Sequence, residues 1–69
     1  MHSSDAIEIA KLGANIEISR DSSLHPSDAI EIVKIVSQQS NNITIKKQYH
    51  SSDLIEMVKI GRGKVTIEI

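Results

Sequence analysis

One phrase occurs three times in this chain: "HSSDAIEIAKL" from His2 to Leu12, "HPSDAIEIVKI" from His25 to Ile35, and "HSSDLIEMVKI" from His50 to Ile60. Within each copy the apolar residues recur at helical spacing. In the first, Ala6, Ile7, Ile9, Ala10 and Leu12 share one broad face, and Asp5, Glu8 and Lys11 share the other. After every copy the period drops to two. Ile16 and Ile18 flank Glu17, Ile43 and Ile45 flank Thr44, and Val65, Ile67 and Ile69 alternate with Thr66 and Glu68. The chain is therefore expected to be three helix–strand units in a row.

Strict alternation means that each strand has one wet face, whereas a sheet covered on both sides would show continuous apolar runs. The expected architecture is an α/β (α+β) two-layer, open-faced sandwich. Three helices lie on one face of a small three- to four-stranded sheet, in a single domain spanning residues 1–69. The first helix is placed from Ser4 to Leu12, and the fourth strand, if formed, runs around Lys46 to Tyr49. Gly13 and Gly61 stand just past the first and third helices, where a left-handed residue commonly ends a helix, and "SQQSNN" forms the exit from the second. Three units are too few for a long repeat array and close one small core.

So short a domain buries a modest share of its surface, and the usual staples are missing. There is no cysteine, which excludes disulfides and thiolate metal sites and fits a reducing cytoplasm, the expected location. Thirteen isoleucines and no Phe or Trp leave the core to aliphatic packing, so self-association, a homodimer for example, is an expected supplement to stability. A formal net charge of -1 with a single aromatic residue offers no basic stripe or stacking platform, so nucleic acid is not an expected partner. The first thirteen residues carry acidic side chains inside their apolar stretch, unlike a signal peptide or membrane span, so no membrane partner is expected either. Lys46, Lys47, Arg62 and Lys64 read as a small solubilising basic cluster, Tyr49 as a partly buried anchor, and Met57 as core filling.

The repeated phrase has a structural explanation. Asp5/Glu8, Asp28/Glu31 and Asp53/Glu56 have the spacing of a capping box, with Ser4, Ser27 and Ser52 as alternative caps one residue earlier. Each such cap contributes about 1 kcal/mol. The histidines ahead of these caps carry the candidate chemistry. His25 precedes a helix start whose free backbone N–H groups would meet the oxygens of a phosphoryl group carried on its ring. A three-histidine metal site would require all three units to run parallel, and no acidic fourth-ligand pattern accompanies it, so no metal or other cofactor is expected.

From Leu24 onward the chain resembles the histidine-containing phosphocarrier protein family (HPr) of the sugar phosphotransferase system, whose signature is Leu-His-Ala-Arg-Pro-Ala before an amphipathic helix. "LHPSDAIEIV" is similar to it at Leu24, His25 and Ala29, and "DLIEMVKIGRGKVTIEI" to the family's later helix, Leu-Gly and strand. The likeness covers roughly residues 14–69. It implies His25 as phospho-acceptor, and Ser27, Ser52 and Asp53 as regulatory or partner-binding residues. Ser27 stands at the motif's arginine, Asp28 at its proline, and Asp53 at the family's regulatory serine. The implied fold is an antiparallel sheet with the first and last strands as neighbours, the helix before Ile16 replacing the family's absent C-terminal helix. The implied function is a phosphocarrier-type or regulatory protein that docks on partner proteins, phosphotransferase components among the candidates, through the His25 helix N-terminus; whether it is an enzyme is left open, with a non-enzymatic role favoured. The residues alone support an alternative: a non-enzymatic interaction or structural module of duplicated or designed helix–strand units that self-associates.

Overall fold

A computed structural model describes residues 2–69. The elements are α1 (Ser3–Lys11), β1 (Ile16–Ile18), α2 (Pro26–Ser37), β2 (Ile43–Ile45), α3 (Ser51–Gly61) and β3 (Val65–Ile67). Helix and strand thus alternate three times. No strand forms between Lys46 and Tyr49, so the sheet has three strands among the described residues.

The sheet is wholly parallel, in the order β1-β2-β3. Its register aligns Ile16, Ile43 and Val65 in one row, Glu17, Thr44 and Thr66 in the next, and Ile18, Ile45 and Ile67 in the third. The antiparallel pairing of first and last strands implied by the phosphocarrier likeness is not what forms, since β1 and β3 occupy opposite edges. Each strand-to-strand connection contains a whole helix, and such a connection returns the chain in the same direction. α2 packs against both α3 and α1, so the three helices form one layer, as crossovers of a single hand require.

The uncovered face is polar, with Glu17 and Thr66 exposed in the middle row. Lys46 and Glu17 form an ion pair at 3.3 Å, and Arg20 and Glu68 another at 2.9 Å. The covered face supplies the core. Of the six largest fully buried side chains among the described residues, Ile32, Val33, Val36, Ile43 and Ile45 belong to the middle unit, and Met57 comes from α3. The middle unit has a neighbour on both sides, and each outer unit has one.

Two glycines punctuate the ends of helices differently. Gly13 adopts φ +96, as expected of a residue just past a helix. Gly61 instead remains helical and buried, and Arg62 and Gly63 take the left-handed conformation. A Cβ on Gly61 would overlap the Cγ2 methyl of Val65 and lie 3.2 Å from its Cβ, so the missing side chain is what lets β3 return tightly against α3.

The "SQQSNN" segment does more than end α2. Gln39 Nε2 donates to the Lys11 carbonyl at 3.1 Å, and the buried Asn41 Nδ2 donates to the carbonyls of Ala10 at 3.3 Å and Ala14 at 2.8 Å. Asn15 Oδ1 in turn accepts from the Asn42 backbone N–H at 2.8 Å. These amides bond carbonyls at and just beyond the end of α1 and fix the first unit to the second.

Candidate functional site

Parallel strands and uniform crossovers bring the N-termini of α2 and α3 to the carboxyl end of the sheet, the end at which open α/β folds place their ligands. The repeated phrase takes the same local form each time. His2, His25 and His50 are the N-cap residues, with ψ values of 153, 151 and 145. The carbonyls of His2, His25 and His50 accept from the backbone N–H groups of Asp5, Asp28 and Asp53 at 3.0, 3.1 and 3.0 Å. Neither the serines nor the aspartates are N-caps, so the expected capping boxes are displaced. Ser27 and Ser52 occupy the second helical position, and Asp5, Asp28 and Asp53 the third, where a carboxylate complements the helix dipole.

The three imidazoles are not equivalent. His50 Nδ1 accepts from the Ser52 N–H at 3.4 Å and lies 3.0 Å from Ser52 Oγ, so this ring caps its own helix. His2 and His25 make no side-chain capping bond and are exposed. Pro26 at the first helical position fixes the backbone of α2 where the missing ring contact cannot.

Tyr49 ties two of the histidine loops together. It is buried, and its hydroxyl donates to the Leu24 carbonyl at 2.8 Å, joining the residue before His50 to the residue before His25. Ser22 Oγ accepts from the Leu24 N–H at 3.1 Å, and the Lys47 ammonium stands 5.8 Å from the centre of the Tyr49 ring. Burial pushes the Tyr49 phenol above its ordinary pKa, and the negative charge of Asp28 pushes it further the same way. Tyr49 is thus the anchor its position suggested, although the link to Leu24 could not be read from local pattern.

Among the described residues, no group of three or more His, Cys, Asp or Glu side chains could hold a metal ion. His25, Ser27, Ser52 and Asp53 share the carboxyl end of the sheet, but among the described residues no side-chain hydrogen bond joins any two of them, and the Tyr49–Leu24 bond links only the loops that carry them. The basic cluster also disperses: Lys46 pairs with Glu17, and the Lys64 ammonium donates to the Gln39 carbonyl. Lys34, Lys59 and Arg62 instead meet in a groove at the ends of α2 and α3, where cations complement the helix dipoles. No described helix is long and apolar enough to cross a membrane.

The outer faces carry the feature that the repeated phrase makes interpretable. Val58 is 48% exposed and Ile55 56%, and both line a shallow apolar patch with Leu54 and Lys59. At the opposite edge, Ile9, Ile16 and Leu24 line an open, largely apolar cleft of about 310 Å³ beside β1. Comparison with protein-family models, curated proteins and solved structures finds no match to this chain.

Proposed function

We propose that this chain is a non-enzymatic structural module that self-associates through the two open sides of its row of helix–strand units. One observation carries this reading. Val33 and Val58 hold the same place in successive copies of the phrase, yet Val33 is fully buried against the third unit and Val58 is 48% exposed. The surface that binds one unit to the next is therefore repeated, and exposed, at the end of the row. Apolar area of this kind contributes roughly 25 cal/mol per Å² when covered, and a domain with so small a core gains from covering it. Light scattering across a concentration series tests the reading. An average mass rising above 7.6 kDa is expected, and a constant monomer mass would refute it.

A phosphocarrier-type reading keeps one supporting observation, the exposed His25 at the mouth of α2 with no capping bond to occupy its ring. Its test is incubation with a phosphotransferase enzyme I system, looking for an acid-labile adduct that His25→Ala abolishes. Absence of an adduct removes this reading and leaves the structural one untouched.

A further inference from the structure

We infer that the partner is a second copy of this chain, joined head to tail, with β3 of one copy pairing parallel to β1 of the next. The inference rests on the self-association reading and specifies its geometry. Three aligned observations support it, each from a different layer of the molecule.

The first is in the helices. At one position of the phrase Ala10 and Val33 are fully buried, Val33 beside Gly61 of the next unit, but their counterpart Val58 is not. At the preceding position of the phrase the pattern reverses: Ile32 and Met57 are fully buried, and their counterpart Ile9 is partly exposed, lining with Ile32 the cleft beside β1. Each end of the row lacks the neighbour that the other end would supply.

The second is in the strands. Toward β2, β1 uses the N–H of Ile16 and the carbonyl of Ile18, bonded to Asn42 and Lys46. Toward β3, β2 uses the N–H of Ile43 and the carbonyl of Ile45, bonded to Lys64 and Glu68. Backbone groups alternate sides along a strand, so the outward edge of β3 presents those of Val65 and Ile67, and the outward edge of β1 presents those of Glu17. These are the groups the same register would require at a β3-to-β1 junction, with Val65 beside Ile16 of the next copy and Thr66 beside Glu17.

The third is symmetry. A two-fold dimer would set like edge against like edge, apolar patch on apolar patch, with its edge strands antiparallel. The unlike edges instead continue an interface already made twice within the chain. A head-to-tail contact does not close at two copies, so assembly grows with concentration as a series of species.

Cysteine cross-linking tests the geometry, since the native chain has no cysteine. Glu17 and Thr66 are exposed and sit in one register row on opposite edges of a single copy, with Thr44 between them, so only across a head-to-tail junction would they stand at the adjacent-strand spacing that suits a disulfide. Glu17→Cys and Thr66→Cys chains, each confirmed folded by circular dichroism, are oxidised separately and as an equimolar mixture. Expected is a mixed disulfide several-fold more abundant than either like pair. Predominance of like pairs, or association in sedimentation without a preference for the mixed product, would overturn the head-to-tail geometry alone. A strict monomer in sedimentation would overturn self-association with it.

Discussion

Val33 and Val58 are the same residue at the same place in consecutive helices, one fully buried and the other 48% exposed. Their truncation should separate folding from association. Val33→Ala removes two methyl groups from a packed site and is expected to cost about 2 kcal/mol in urea unfolding. Val58→Ala is expected to change monomer stability by less than about 0.5 kcal/mol. Equal losses at the two sites would mean that the outer face of α3 is already covered within one copy.

Gly61 and Val65 make the tightest turn from helix to strand. In an exposed helix, Gly→Ala would gain roughly 1 kcal/mol. Here the added methyl meets the stiff, branched Val65, and overpacking of this sort costs about 1–3 kcal/mol. A lowered melting temperature for Gly61→Ala, restored in part by adding Val65→Ala, is the expected result.

The Tyr49 hydroxyl links two loops, so Tyr49→Phe leaves the Leu24 carbonyl without that donor and is expected to cost about 1–2 kcal/mol. The pH dependence follows from the raised phenol pKa. The folded state favours the neutral phenol, so its contribution is complete below the ordinary value of 10.0 and is lost as pH rises from there through the folded value. Melting temperatures of wild type and Tyr49→Phe should therefore converge as pH climbs through that window. A constant difference would show that the phenol does not ionise more readily on unfolding.

Of the three histidines, only His50 is held by its ring. His50→Ala is expected to lose about 0.5 kcal/mol, and His2→Ala and His25→Ala less, as read by chemical denaturation. A larger loss at His25 would indicate a contact that its exposed position does not provide.

Much of this fold is visible in the chain itself, because the change from helical to two-residue period marks every helix and strand. The polar middle residues Glu17, Thr44 and Thr66 likewise announce a sheet with one wet face. Strand direction was not legible from that alternation, since a period of two says which way side chains point and nothing of how a strand is paired. The better clue was the helix between each pair of strands, which favours parallel pairing; the likeness around His25 and Gly61 suggested the opposite. Because Ser and Asp are common caps, the cap positions expected from sequence fall two or three residues after the observed ones. Here an extended histidine takes that place and leaves them inside the first turn. The amides of Gln39 and Asn41 reach carbonyls 27 to 31 residues away, a relation no local pattern encodes. The candidate interface was half legible: the repetition was plain, but which copy lacked a neighbour depended on strand order.

Sedimentation velocity of the wild-type chain beside an Ile55→Lys/Val58→Lys double variant tests self-association most directly. The substituted positions are exposed, so the variant is expected to keep its helical signal and to match the melting temperature of dilute, monomeric wild type, while sedimenting as a monomer at every concentration. Wild type is expected to show a concentration-dependent series of larger species. A wild-type chain that stays monomeric at every concentration, or a variant that associates as strongly as wild type, would contradict the account.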